Sequence, residues 1–191
     1  MPDFSNAITA TSATDWRAWL AENNAIEKNV WLIIYHKKSG KPTVFYDEAV
    51  DEAMCYGWVD SSIRKRDHES YYQYFAKRSP KSNWSRVNKE KIKRLEKEGR
   101  MAESGREMVQ IAKATGTWDA LNDVENLVIP ADMQVLFDEN PSAETNWHNF
   151  PRSIQRGILE WIFNAKRAPT REKRIKETVE KAAQNIRANQ Y

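Results

Sequence analysis

The sequence predicts a predominantly helical α+β protein, with a small antiparallel sheet, flanking helices and a C-terminal helical segment. Apolar residues recur at intervals of three and four over most of the 191-residue chain, as they do in amphipathic helices. Short runs rich in β-branched and aromatic residues lie in the N-terminal half, where strands are therefore expected. Isolated glycines follow several of the helical patterns and indicate where those helices end.

The first half of the chain alternates between helices and strands. A helix that begins at the Ser12–Asp15 capping box precedes a buried strand, since the next apolar run is short, β-branched and aromatic. Later helices have apolar positions at helical spacing and end at glycines. In chain order we expect a helix over 12–24, a strand over 30–35, a helix over 47–57, strands over 58–64 and 71–75, and helices over 85–99 and 101–116.

A domain boundary is expected after residue 118, where the periodicity weakens and Pro130 follows. It separates an α+β core over residues 1–118 from a helical segment over residues 119–191. Within that segment, Pro151 suits the first turn of a helix, and Pro169 precedes a threonine cap. Helices are therefore expected over 131–138, 151–164 and 170–189.

The composition excludes several classes of protein. Cys55 is the single cysteine, so the chain forms no intramolecular disulfide and no cysteine-based zinc site, which favours a cytoplasmic location. The longest apolar run, residues 30–35, is far shorter than the roughly 20 residues that cross a bilayer. The N-terminal residues also lack the pattern of a signal peptide. Membrane insertion is not expected.

No known catalytic motif is present. The sequence has no Gly-x-Ser-x-Gly elbow, and its six glycines stand singly, so neither a Walker A loop nor a dinucleotide-binding loop can form. The three histidines lack the paired spacing of zinc ligands. Four carboxylates on one predicted helix are expected to form a solvated acidic face rather than a metal site: Asp47, Glu48, Asp51 and Glu52. The sequence therefore favours a non-catalytic protein without a cofactor.

One group of residues is a candidate site for a small anionic or sugar-like ligand. It combines an aromatic pair, a carboxylate, a cation and two small polar side chains, namely Trp58, Asp60, Arg78, Trp84, Ser85 and Asn88. In this hypothesis Arg78 binds the anion. The alternative is structural: Asp60 pairs with Arg78, Ser85 caps its helix, and the tryptophans fill the core.

Two basic runs suggest another kind of partner. One lies between Lys77 and Arg106, and the other lies between Lys166 and Lys176. Their cations could neutralise phosphates while the tyrosines of 71–74 stack on bases, which predicts weak, sequence-independent and salt-dependent binding of nucleic acid. The residues proposed for this role are Lys91, Arg94, Arg171 and Arg174. Solvated helix faces are the simpler interpretation of both runs.

Three blocks of sequence occur in a characteristic order. They are YDEAVDEAMCYGWVD over residues 46–60, SNWSRVN over residues 82–88, and EWIFNAKRAPTREKRI over residues 160–175. Together they resemble the YdeI/OmpD-associated family, also called bacteriocin-protection proteins. The resemblance implies an α+β core related to the YjbR/CyaY-like superfamily, and a role in stress or bacteriocin tolerance without an assigned reaction.

The leading hypothesis is a non-catalytic tolerance protein that binds an unknown small ligand or protein partner through residues 58–88. The first alternative is a sequence-independent nucleic-acid binder that uses the basic helices. The second is an enzyme that acts on a small anionic substrate with Asp60 and Arg78.

Overall fold

A computed structural model describes residues 3–189, which divide after Asp119 into two compact units. The first unit contains a four-stranded sheet and helices, and the second is helical throughout its regular structure. The predicted class, α+β with a predominance of helix, is confirmed. The boundary follows the last turn of the first unit, where the polypeptide leaves Trp118 and enters the second hydrophobic core.

The sheet has the strand order β1-β2-β4-β3. Its strands are β1 (Ala7–Thr9), β2 (Asn29–Tyr35), β3 (Trp58–Lys65) and β4 (Ser70–Lys77). The pairs β2–β4 and β3–β4 are antiparallel, whereas β1 is parallel to β2, so the sheet is mixed. Strand β1 is not evident in the sequence, because three residues are too few to show the alternation that identifies a strand.

Four α-helices surround the core side of this sheet in the described part of the first unit. They are α1 (Ala13–Asn23), α2 (Tyr46–Cys55), α3 (Arg86–Lys97) and α4 (Glu103–Ala114). Ser12 caps α1 by accepting from the backbone N–H of Asp15, and Ser85 caps α3 by accepting from that of Asn88. Gly57 follows α2 with a φ of 76°, a conformation that favours glycine.

The core of the first unit forms between α1, α2 and one face of the sheet. Alternate residues of β2, such as Leu32 and Ile34, belong to one continuous cluster with Trp16 and Leu20 of α1. Helix α4 packs closely against the end of α2, because a Cβ atom at Gly105 would lie 2.1 Å from the carbonyl oxygen of Cys55. Glycine at this position allows the close approach of α4 to the end of α2.

The second unit contains five helices in its described residues. They are α5 (Asn122–Glu125), α6 (Ala131–Asp138), α7 (Pro141–Asn149), α8 (Arg152–Phe163) and α9 (Ala168–Ala183). Their core includes Phe137 and Trp147, whose ring centroids are 5.9 Å apart. Helix α9 ends before the predicted residue 189, since Asn185 has a φ of 56° and turns the backbone. No helix of residues 3–189 is both long enough and apolar enough to cross a membrane.

Candidate binding groove between two helices

Helices α3 and α4 enclose an open groove of about 780 Å³ in the first unit. Its floor is apolar and consists of Ile92, Met101, Val109 and Trp118. Ile92 and Val109 belong to the hydrophobic core, so the floor is the outer surface of well-packed side chains. A cleft of this size, with an apolar base, is typical of a binding site.

The rim of the groove is strongly cationic. Six basic side chains line it, namely Arg86, Lys89, Lys93, Lys97, Arg106 and Lys113, against the carboxylates of Glu90 and Glu96. Arg106 pairs with Glu96 at 3.1 Å, and Lys89 pairs with Asp119 at 3.2 Å. Lys93 and Lys97 are exposed, and no carboxylate oxygen of the described residues lies within 4.0 Å of their ammonium groups. The rim therefore gives the groove a positive electrostatic potential, which would attract an anionic partner.

The helical repeat explains this rim. Lys89, Lys93 and Lys97 are spaced by four residues, so they form one stripe along α3. Ile92 lies on the same side of the helix and contributes to the floor beneath these lysines. The groove is not among the sites expected from the sequence, although the combination of this lysine spacing with an apolar neighbour is a signal for it.

Trp118 closes one end of the groove. Its ring lies 5.1 Å from the ring of buried Trp84, which fixes it against the core. The ammonium groups of Lys89 and Lys113 lie 5.7 Å and 5.5 Å from the Trp118 ring centroid, within the range of cation–π attraction. The partly exposed indole is therefore held in place and presents an aromatic surface to any bound molecule.

The opposite side of α3 is occupied by ion pairs with α2. Lys91 and Arg94 contact the two carboxylate oxygens of Asp51 at 2.9 Å and 2.5 Å. Burial alone would raise the pKa of Asp51, but the hydrogen bonds from Arg94 and Lys91 outweigh it, and the pKa is lowered. Asp51 is consequently ionised at neutral pH and holds α3 to α2.

Glu52 extends these ion pairs toward α1. Its carboxylate lies 2.7 Å from Arg17 and 2.6 Å from Arg100. Seven charged residues form one continuous network, which runs through Arg17, Glu52, Arg100, Glu98, Arg94, Asp51 and Lys91. The predicted solvated acidic face of α2 is therefore wrong for Asp51 and Glu52, because both are buried among cations. No group of three or more His, Cys, Asp or Glu within residues 3–189 is arranged to hold a metal ion.

The residues of the predicted ligand site make contacts that serve the fold. Trp58 is fully buried, and its indole N–H donates to the side chain of Asn24 at 2.7 Å. Trp84 is also buried, and Ser85 caps α3 through the half-buried Asn88. None of the six predicted residues is among those that line the α3–α4 groove.

Arg78 is a buried cation with incomplete hydrogen bonding. Its guanidinium is 3.8 Å from the ring centroid of Trp84 and donates to the carbonyl of Asn83. Its Nε has no hydrogen-bond partner within the described part of the chain. Burial lowers the pKa of Arg78 to about 10, although the charge of Asp60 opposes this change.

The ion pair expected between Asp60 and Arg78 does not form. Within residues 3–189, no oxygen of Asp60 lies within 4.0 Å of the Arg78 guanidinium. Asp60 instead accepts a hydrogen bond of 2.7 Å from the hydroxyl of Tyr46. Burial and this bond raise the pKa of Tyr46. Asp60 therefore makes its hydrogen bond to α2, and it acts on the buried cation of Arg78 only through its charge.

The four residues predicted to contact nucleic acid all bind other protein groups. Lys91 and Arg94 pair with Asp51, as described above. Arg171 makes a two-pronged contact with Asp132, at 2.6 Å and 2.9 Å. Arg174 donates to the carbonyl of Trp161 and covers its ring. The two basic runs thus include many cations that are committed to the fold.

Two family models match the chain. The first, described as Domain of unknown function (DUF8412), matches residues 8–108, which is more than half of the sequence. The chain belongs to this family. The DUF8412 region contains the sheet apart from Ala7, the first residue of β1, and it contains both sequence blocks of the first unit that carried the resemblance. It also contains α3, so most of the groove falls within it.

The second model is described as Bacteriocin-protection, YdeI or OmpD-Associated, and it matches residues 126–185. This match supports the YdeI/OmpD-associated resemblance for the helices of the second unit. The relation to the YjbR/CyaY-like superfamily stays a prediction. No curated protein and no solved structure matches the chain. Neither family description states a reaction.

Proposed function

We propose that this chain is a non-catalytic binding protein that docks an acidic amphipathic helix of a partner protein in the α3–α4 groove. The observation that carries the proposal is the apolar floor beneath a rim of six basic side chains. The match to the bacteriocin-protection family supports a role of this binding in bacteriocin tolerance. The partner would be a component of that response with a helix of the stated chemistry.

The shape of the groove favours a helix as the occupant. Amphipathic helices commonly bind by placing their apolar face in a groove of this kind. Helix α3 has 12 residues and is about 18 Å long, which corresponds to about three turns of a partner helix. Leucines of the partner would contact Ile92 and Trp118, while its carboxylates would reach Lys93 and Lys97.

The side chains of the groove favour binding over catalysis. In the described part of the chain they include no histidine, cysteine, serine or aspartate, and one of their two glutamates, Glu96, is paired with Arg106. Proton transfer and nucleophilic attack usually depend on such groups. The hypothesis of an enzyme that uses Asp60 and Arg78 has less support, because the guanidinium of Arg78 is buried against Trp84.

A designed peptide tests the proposal. We would label an 18-residue helix that has leucine at helical spacing and glutamate on its other faces, and measure its binding by fluorescence anisotropy. The expected Kd is on the order of 10 µM, and a peptide of the same composition with scrambled order should bind at least about tenfold more weakly. Equal binding of both peptides would overturn the proposal.

Charge reversal locates the site. The double variant Lys93→Glu/Lys97→Glu should weaken peptide binding by about tenfold or more, because it places like charges opposite each other. The matched control is Lys173→Glu/Lys176→Glu, which reverses two exposed lysines of α9. A different outcome is that the protein binds duplex DNA more tightly than the patterned peptide and loses that binding in the same groove variant. That result would identify nucleic acid, rather than a helix, as the partner of the groove.

A further inference from the structure

The face of the sheet opposite the hydrophobic core carries aromatic side chains. Along β2, Val30, Leu32 and Ile34 belong to the core cluster, so Trp31 and Tyr35 point to the opposite face. Along β4, Phe75 belongs to the core, whereas Tyr72 and Tyr74 are directed outward. We call Trp31, Tyr35, Tyr72 and Tyr74 the aromatic face.

These side chains lie on the two central strands, and the ring of Trp31 is close to those of Tyr72 and Tyr74. Trp31 is the cross-strand neighbour of Tyr74, and their ring centroids are 4.8 Å apart. Trp31 belongs to neither hydrophobic core cluster, although it is only 7% exposed. Tyr35, Tyr72 and Tyr74 are partly exposed. The outer face of an antiparallel sheet is ordinarily polar, so an aromatic one indicates a role outside the core.

One flat ring already stacks on this face. The ring of Phe4 lies parallel to that of Tyr72, with a centroid separation of 4.1 Å and an interplanar angle of 16°. The same ring is 5.0 Å from Trp31. Tyr72 can therefore accept a planar ring at stacking distance, which is the geometry of a nucleobase on an aromatic side chain.

The aromatic face leads to a cationic end of the sheet. Tyr35 ends β2 opposite Ser70, and Lys65 ends β3 opposite Tyr71, so the adjoining turns lie at the same end. Six cations lie in these segments: Lys37, Lys38, Lys41, Arg64, Lys65 and Arg66. Lys41 pairs with Glu69 and Arg66 pairs with Asp67, whereas the other four have no carboxylate of residues 3–189 within 4.0 Å. The ammonium of Lys41 lies 5.1 Å from the ring centroid of Tyr35.

We propose that the aromatic face and this cationic end bind single-stranded nucleic acid. Bases would stack on Tyr72 and Tyr74, which the buried ring of Trp31 supports from the same face, while phosphates would lie beside Arg64 and the neighbouring cations. Phe4 occupies the position of one base and competes with the strand for Tyr72. The site shares no residue with the α3–α4 groove, so it is independent of the proposed helix partner.

Oligonucleotide binding tests the inference. We would titrate labelled oligo(dT) and oligo(U) of 12 nucleotides, and a DNA duplex, at about 50 mM and 200 mM salt. The single strands should bind at least about tenfold more tightly than the duplex, whose bases cannot stack on the protein. The ratio of the affinities for oligo(U) and oligo(dT) shows whether the preferred single strand is RNA or DNA. Equal affinity for duplex and single strands would overturn the inference.

Aromatic substitutions locate the site. Tyr72→Ala and Tyr74→Ala should each weaken binding about tenfold, whereas Tyr72→Phe and Tyr74→Phe keep the ring and should bind like the unchanged protein. Phe4→Ala should tighten binding by removing the internal competitor. Melting curves would verify that each variant is folded. Unchanged affinity in a folded Tyr72→Ala/Tyr74→Ala variant would contradict the proposal, and Lys93→Glu/Lys97→Glu should leave this binding unaltered.

Discussion

The two sides of helix α3 are similar in composition but have different roles. On one side, Lys91 and Arg94 contact the buried carboxylate of Asp51 and hold α3 to α2. On the other side, Lys93 and Lys97 face solvent along the groove, without a carboxylate of residues 3–189 within 4.0 Å. The comparison shows that a basic run is not one surface, because the carboxylates supplied by distant parts of the chain decide which cations remain available.

The cations on the two sides of α3 also differ in how much they contribute to the stability of the fold. A cation that pairs with a buried carboxylate stabilises the fold, and its loss leaves the carboxylate without a partner. Lysines that lie beside one another at a spacing of four residues repel each other weakly and contribute little to stability. Lys93 and Lys97 therefore contribute little to the stability of the fold, which leaves them available for the proposed binding role.

The largest effect is expected on the Asp51 side. Asp51→Asn removes the charge that Lys91 and Arg94 share, and we expect a loss of about 2 kcal/mol in the free energy of unfolding. Urea denaturation measures this loss. An unchanged denaturation midpoint would show that these ion pairs do not hold α3 in place.

A pH series further tests the contribution of Asp51 to stability. The pKa of Asp51 is lowered in the folded protein, so its contribution to stability is present above the unfolded pKa of about 4 and is lost as the pH falls through the folded value. The unchanged protein should therefore lose stability more steeply than Asp51→Asn below about pH 4. Parallel curves of urea midpoint against pH for the two proteins would contradict the assignment.

The smallest effect is expected on the groove side. Lys93→Ala/Lys97→Ala removes two exposed charges without carboxylate partners in the described residues, and we expect a change of less than about 0.5 kcal/mol in the free energy of unfolding. The same urea experiment measures it beside Asp51→Asn. A loss as large as that of Asp51→Asn would place these lysines in the fold rather than in a binding surface.

Local signals predicted much of the fold. Ser12 and Ser85 were recognised as helix caps because a cap depends on a few adjacent residues. Helix α6 has the bounds that were predicted for it, 131–138. Helix α7 was missed, because its polar sequence shows little periodicity, although Asn140 caps it and Pro141 lies in its first turn.

The features that depend on distant parts of the chain could not be predicted. The burial of Asp51 and Glu52 requires cations from α1, α3 and the turn at Arg100, which only the folded chain brings together. The groove likewise requires that α4 lies against α2 at Gly105. The basic run is visible in the sequence. Which of its cations are paired and which face the groove depends on these tertiary contacts.

The most direct test of the binding role is a charge-swap experiment at the groove. The patterned acidic peptide should bind the unchanged protein and lose about tenfold in affinity for Lys93→Glu/Lys97→Glu. A second peptide, in which lysine replaces only the glutamates that would face residues 93 and 97, should recover the lost affinity for that variant and bind the unchanged protein weakly. Recovery would establish that the groove contacts the charged face of a helix, whereas weak binding of both peptides to the folded variant would contradict it.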